Sequence, residues 1–421
     1  MSQPLRLVSI PDDRYSDYRY DVIFKAYKWD PQVEDHNTIS KYAVLMSRGT
    51  AGQLETWAEQ MAEETASMEE ELLKNLPLAE ELGMPSQIYK SLHRLNYDRG
   101  QNVRLMRFDF HPTVNGPTAN GPTANGPTEN GWAVSEVNSD VPGGLAEASL
   151  MPQLAAEHIH GGGFAPGPSV AESLLEAFKT RVKKGGRIAF VHATSYSDDR
   201  QVMQFLSDYF YNGGLDVMLA APDHLRWDNK KAVSVLEGEQ GEIDGIVRFF
   251  PLEWFVNLPG NSGWLGYYDC ETPSCNHPTA ILTQSKRLPL VWDKLGVEIP
   301  AWKRLLPETR DPKSIAPSEP GWIYKPAFGR VGEDISIEGA VPEKKIAQIE
   351  KEARKYPKNW VAQRMFRSLP LTGDDGEPNH LCVAVFTVNG KAAGFYGRLS
   401  PFPLIDHRAK DVPILITKEG C

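Results

Sequence analysis

Over Arg107-Phe108-Asp109-Phe110 a charged side chain alternates with a phenyl ring. A period of two belongs to a strand, where successive side chains point to opposite faces. Arg107 and Asp109 therefore share one face, and Phe108 and Phe110 the other. The pattern predicts a strand over Asn102–Phe110. A second run, Trp132–Asn138, repeats the arrangement, with Glu136 and Asn138 on one face and Val137 opposite. If the two runs pair, one surface gathers an arginine, two acids and an amide. Hard cations such as Mg²⁺ favour an oxygen set of this kind, usually shared with substrate phosphates. An arginine there can offset negative charge building on a transferring phosphoryl group. A salt-bridge lattice on a half-exposed hairpin explains the alternation equally well.

Residues 113–131, between the two strands, form a low-complexity loop. It holds three copies of Asn-Gly-Pro-Thr, beginning at Asn115, Asn120 and Asn125. These are turn dipeptides with little to pack, so a loosely turned hairpin tip is expected. Upstream, Leu54, Trp57, Met61, Thr65, Met68 and Leu72 recur at spacings of three and four, which predicts an amphipathic helix over Gln53–Leu76. Downstream, Ser169 with Glu172 resembles a capping box. The helix it opens carries Leu174, Leu175, Phe178 and Val182 and is expected to stop at Gly185-Gly186. Strand Arg187–Ala193, a helix over about Asp198–Tyr211 and strand Asp216–Ala220 read as a right-handed parallel crossover. The last third reads as more antiparallel. Strands Gly321–Pro326 and Ile335–Glu338 flank a glycine turn, a helix covers about Glu343–Tyr356, and a strand covers Trp360–Phe366. Asn389-Gly390 joins Cys382–Val388 to Lys391–Arg398 as a two-residue hairpin.

The 421 residues suffice for two or three packed subdomains. A net charge of -10 gives no general attraction to nucleic acid or anionic membrane, so any phosphate-handling site must be local. No apolar stretch approaches the ~20 residues that span a bilayer, and Met1–Arg14 has no signal-peptide pattern. Four cysteines make no dense disulfide framework. A cytoplasmic protein with free thiols is the expectation.

Basic residues form a second, dispersed constellation. Lys286 follows Gln284-Ser285, and Lys325 ends a strand just before Phe328-Gly329-Arg330-Val331-Gly332. A glycine turn exposes backbone N–H groups to phosphate oxygens, with Lys and Arg adding charge. Taken singly, each lysine reads as solvated, and no Walker loop occurs in the chain. His158-x-His160 and Cys270-x4-Cys275-x-His277 suggest metal sites but lack a full ligand set. Solvated histidines and loop thiols are the better reading.

Arg-Phe-Asp-Phe followed by Glu-x-Asn-x-Asp resembles the metal-binding hairpin of glutathionylspermidine synthases. Other segments resemble that family in the same order: Leu225-Arg226-Trp227-Asp228, Pro251-Leu252-Glu253-Trp254, Ser285-Lys286, Lys325-Pro326-x-x-Gly329-Arg330, Gln363-Arg364-Met365-Phe366, and Asn389-Gly390 through Arg398. The resemblance runs from about residue 20 to the end. It implies an α/β (α+β) ATP-grasp-type fold, with a small parallel pre-ATP-grasp subdomain and antiparallel nucleotide-binding lobes. One synthetase unit would span 1–421: a helical segment plus metal-binding hairpin over 15–150, an α/β subdomain over 151–280, and ATP-binding lobes over 281–421.

The implied activity is ATP-dependent formation of an amide from a carboxylate (a peptide such as glutathione or similar) and an amine (polyamine, amino acid or peptide). The cofactors would be ATP and Mg²⁺. By this resemblance Asp109, Glu136 and Asn138 hold the metal, and Arg107 stabilises the transition state. Lys286 and Lys325 contact phosphates, covered by Gly329 and Arg330. Gln363 and the backbone near Met365 hold adenine. Arg398 steadies the acyl phosphate or the acceptor end, Glu253 lies near a substrate amine, and Asp140 lies near the peptide substrate. Two departures stand out: the Asn-Gly-Pro-Thr insert, and Val141-Pro142 where the family tends to place a small hydroxyl. The amidase domain of bifunctional members is not expected. A nucleotide-binding protein without ligase activity is the alternative, and a carboxylate-pair hydrolase using Asp109 and Glu136 a third reading.

Overall fold

The computed structural model describes residues 4–29, 32–33, 36–114, 131–317, 319–330, 332, 334–337 and 339–418. The Asn-Gly-Pro-Thr copies, Val331, Glu338 and Cys421 lie outside them. At the centre is a six-stranded antiparallel sheet. Its main path runs Lys410–Val412, Lys391–Ser400, Pro378–Val388, Leu105–Pro112, Trp132–Asn138, and Pro370–Thr372 pairs with Pro378–Val388 beside this path. The expected hairpin is present: Asp109 stands opposite Glu136, and Arg107 opposite Asn138.

Register decides what each face carries. Glu136, Asp109, Ala384 and Tyr396 form one row across four strands, and Val137, Phe108, Val385 and Phe395 form the next. Neighbouring rows point to opposite sides. The second row is buried in the main core, where burial stabilises each large side chain by ~1.5–3 kcal/mol. Helix Arg48–Lys74 covers that face. The Trp57 ring stacks on Phe110 at 6.4 Å, and Trp302 meets Phe108 edge-on at 6.2 Å. This is the amphipathic helix expected over 53–76, begun earlier because Ser47 caps it: its Oγ accepts from the Thr50 N–H at 3.1 Å. With one face sealed by helix, the charged row is left to face a cleft.

A second sheet is parallel, in the order Ser274–Cys275, Gly245–Arg248, Arg187–Val191, Asp216–Ala220. The crossover through helix Ser197–Asn212 is the expected one. A three-stranded sheet, Thr309–Arg310, Trp360–Arg364 and Trp322–Pro326, carries Lys325. Another joins the two ends of the chain: Tyr42–Met46 pairs with Leu5–Ser9 and, in parallel, with Ile414–Thr417.

Two expectations need correction. The helix capped by Ser169 ends at Lys179, before Val182 and the glycines. Residues 335–337 form no strand. Ser336 instead exchanges two bonds with Tyr324: the Tyr324 N–H donates to Ser336 Oγ at 2.7 Å, and the Ser336 N–H to the Tyr324 carbonyl at 3.3 Å. A hydroxyl that takes the strand's N–H displaces the regular ladder there. Among the described residues no helix is long and apolar enough to cross a membrane.

Candidate active site

A cavity of about 1060 Å³ opens over the charged row of the six-stranded sheet. Small side chains keep its floor low: Ala384 lies between Asp109 and Tyr396 in the row, and Cys382 lies opposite Arg398. At one wall Gly144 has φ +89, and a Cβ there would sit 2.6 Å from the Tyr396 ring, so the close approach requires glycine.

The structure brings most of the sequence-predicted residues onto this cavity. Arg107, Asp109, Glu136, Asn138, Lys286, Lys325, Gly329, Arg330, Met365 and Arg398 all line it. Arg107 Nε and Nη2 each donate to one Asp109 oxygen at 2.8 Å, a bidentate pair, while Nη1 donates to the Gly143 carbonyl at 2.8 Å. The guanidinium lies 5.6 Å from the Tyr396 ring centre. Asn138 Nδ2 donates to Asp109 Oδ2 at 3.2 Å. Lys286 Nζ stands 2.8 Å from Glu136 Oε2 and donates to the Gly329 carbonyl at 2.6 Å. Lys325 Nζ donates to Gln363 Oε1 at 2.7 Å and to the Ser135 carbonyl at 3.3 Å. Arg398 Nη2 donates to the Asp406 carbonyl at 2.6 Å.

These groups set one another's acidity. Burial alone would raise Glu136, but Lys286 and Lys325 overcome it and hold the carboxyl at about 2. Burial pushes Lys325 down to about 8, and the Lys286 charge acts the same way, against the opposing pull of Glu136. Two carboxylates, Asp109 and Glu136, thus face the cations Arg107, Lys286 and Lys325. The surplus of positive charge in a confined space suits a polyphosphate.

Three predicted residues do not line the cavity. Asp140 is fully buried in an ion pair with Arg248, and its Oδ2 accepts the Leu252 N–H at 2.9 Å. Glu253 is buried and held by Arg330, whose Nη2 donates to Oε1 at 2.7 Å. Burial raises this carboxyl, although Arg330 opposes the shift. Arg330 also lies 5.9 Å from the Trp254 ring centre, so the glycine turn is tied across to residues 252–257. Gln363 is buried, its amide spent on Lys325 and on Thr309. Met365 and Phe366 line the cavity beside it.

Sequence reasoning missed a second polar cluster on the cavity. Lys28 Nζ sits 2.8 Å from Glu147 Oε1 and 2.7 Å from Asp411 Oδ2, and Tyr396 Oη donates to Asp411 Oδ1 at 2.5 Å. Its members come from four distant segments, so no spacing signals it. His111 was also missed, though its place two residues after Asp109 on the same strand was a usable signal. Burial and the Lys325 charge hold His111 down at about 3, and Nε2 lies 3.0 Å from Ser135 Oγ.

Among the described residues no group of three or more His, Cys, Asp or Glu side chains gathers as a metal site. His158 is instead paired with Asp21 at 2.9 Å, and burial pushes the Cys275 thiol up to about 12. Two carboxylates and an amide are too few for a dedicated protein cage. They do fit Mg²⁺, which keeps waters and shares its ligands with phosphates. In this structure the Asp109 and Glu136 oxygens are held by Arg107 and Lys286.

No curated protein matches the chain by sequence. Among solved structures, a glutathione synthetase-like effector (GSS30) from Globodera pallida in its apo form is similar in fold. The TM-score is 0.61 at 11% identity, over 97% of this chain and 99% of that one. A putative gamma-glutamylcysteine synthetase from Methylobacillus flagellatus KT aligns at a TM-score of 0.42 and 10% identity, over 79% and 81% of the two chains. The family model described as glutathionylspermidine synthase preATP-grasp matches residues 15–417. With nearly its whole length matched, the chain belongs to the glutathionylspermidine synthase preATP-grasp family, a synthetase-type family.

Proposed function

We propose that the protein is an ATP-dependent ligase that joins a carboxylate to an amine through an acyl phosphate. One observation carries the reading: Asp109, Glu136 and Asn138 meet Lys286, Lys325 and Arg107 on a single cavity. That set has an oxygen side for a hard cation and a cationic side for phosphates. A carboxylate is a poor electrophile at neutral pH. Its oxygen attacks the γ-phosphate of ATP, ADP leaves, and the resulting acyl phosphate is attacked by an unprotonated amine with loss of phosphate. Such transfers depend on position and charge more than on covalent help.

Asp109, Glu136 and Asn138 would hold Mg²⁺, which supplies charge neutralisation at the phosphates when bound. Lys286 and Lys325 bind the phosphate chain. Arg107, kept in place by Asp109, Gly143 and the Tyr396 ring, meets charge on the transferring group. Arg398 steadies the acyl phosphate or the acceptor end. The turn at Gly329, tied to Glu253 through Arg330, closes the cavity and keeps water from the acyl phosphate. The substrates are a peptide-like carboxylate such as glutathione and a polyamine, amino acid or peptide amine.

The test is a matrix of carboxylates and amines with Mg²⁺ and ATP, following ADP and phosphate, with Asp109→Ala as control. Release that needs both an acid and an amine, and is lost in the variant, is the expected result. ATP binding without turnover for any pair would leave a nucleotide-binding protein; no ATP binding would overturn the assignment.

A further inference from the structure

The Gln363 side chain is positioned for a task other than the one its sequence context implied. Its strand lies in the middle of the three-stranded sheet, opposite Thr309 on one side and Ile323 on the other. Lys325 is two residues along from Ile323, so it is the diagonal neighbour of Gln363 across the strand pair. A hydrogen-bonded relay crosses all three strands. Thr309 Oγ1 donates to the Pro307 carbonyl at 3.0 Å. Its hydroxyl proton being spent there, Thr309 can only accept from Gln363 Nε2, which lies 3.0 Å away. The amide orientation is thereby fixed, and Oε1 is turned to the Lys325 ammonium at 2.7 Å. The lysine demands the same orientation, because an ammonium has no acceptor of its own.

Gln363 and Lys325 are each 4% exposed, and only Lys325 reaches the cavity. A buried four-carbon chain carrying a charge needs an oxygen partner, or it turns to another one. The Ser135 carbonyl at 3.3 Å is the weaker of the two it has. The geometry points to Gln363 as a positioning residue that, with Thr309 behind it, aims Lys325 at the phosphate chain, and not as a reader of the adenine base. This inference rests on the ATP-dependent reading above and assigns the nucleotide's phosphate end to a relay that begins outside the cavity.

The test measures dissociation constants for MgATP, for magnesium tripolyphosphate as the phosphate-only probe, and for AMP as the base-carrying probe. For Gln363→Met, MgATP and tripolyphosphate weaken by the same factor, about tenfold for one lost hydrogen bond to a charge, and AMP binding is unchanged. Thr309→Val, which lies off the cavity and covers the case of a misfolded Gln363→Met, weakens tripolyphosphate in the same direction. Loss of AMP affinity with tripolyphosphate unchanged, or no change with any probe, overturns the positioning role. Wild-type protein that binds none of the three overturns the ATP-dependent reading instead, so the two failures are told apart.

Discussion

Replacing Asp140 by alanine should cost the fold about 3–5 kcal/mol, the usual penalty for stranding one partner of a buried ion pair. The magnitude follows from the surroundings. The Arg248 and Asp140 side chains are 1% and 0% exposed. Without the carboxylate, Arg248 keeps the Phe250 carbonyl at 2.7 Å and the Asn276 carbonyl at 3.0 Å, but among the described residues it has no ion-pair partner, Glu253 acting on it only at longer range. The Leu252 N–H loses its acceptor as well. Equilibrium urea unfolding at pH 7, followed by fluorescence and circular dichroism, measures the loss. Asp140→Leu combined with Arg248→Met removes both charges and should recover the part of the loss that comes from a stranded charge, but not the part that comes from the unpaired Leu252 N–H. Burial opposes ionisation of Asp140 and Arg248 overcomes it, leaving the carboxyl below its usual range. An acid with a depressed folded value stabilises above its unfolded value and loses that stability as pH falls through the folded one. The gap between wild type and Asp140→Ala should therefore narrow in acid. A loss under about 1 kcal/mol, the worth of an exposed pair, would refute the reasoning and return Asp140 to the substrate side.

Glu136→Gln keeps the shape of the metal-side face and removes one charge, so the rate of ADP release should fall by roughly 10²–10³, read in a coupled ADP assay with the unfolding midpoint as a control for folding. Lys286→Met removes a cation holding Glu136 at about 2. The stability that Glu136 contributes is present above 4.5 and lost as pH falls towards 2, and in the variant that loss should be smaller and complete at higher pH; superimposable urea midpoints across pH 2–5 would contradict the coupling. Ala384→Leu raises the cavity floor between Asp109 and Tyr396. Ala384 is 2% exposed and packs in a buried cluster with Phe386 and Tyr396, so the larger side chain should cost about 1–3 kcal/mol in urea unfolding, while MgATP binding by calorimetry is lost.

Legibility in the sequence followed the strength of local periodicity. Helix Arg48–Lys74 repeats its apolar positions over many turns, and its expected buried residues are buried. The alternation at Arg107–Phe110 and the Asn389-Gly390 turn, with φ +50 and +80, each carry a strong short-range signal. Strand Gly245–Arg248 did not, because it has four residues and its buried Arg248 breaks the apolar run. The hairpin Leu225–Asp228 and Lys231–Ser234 turns on Asn229 and Lys230, both at positive φ, without the glycine that marks such turns. At the site, the strand faces were readable and the pairings were not. Arg330 with Glu253, Asp140 with Arg248, and Lys28 with Glu147 and Asp411 join distant segments through tertiary contacts that no spacing encodes.

Strand Leu105–Pro112 finds its inner neighbour only in Pro378–Val388, and strand Tyr42–Met46 takes Ile414–Thr417 as one of its two. A polypeptide emerging from the ribosome thus carries strand Leu105–Pro112 with one backbone edge unpaired for most of its synthesis. Pairings this remote in sequence form slowly, and open edges of this kind attract other chains. Translation that stops before residue 378 leaves the carboxylate row without the strands that hold Ala384 and Tyr396 beside it. Such a fragment has an adhesive edge to hide, so the row of the candidate site is assembled only once residues 378–400 have paired.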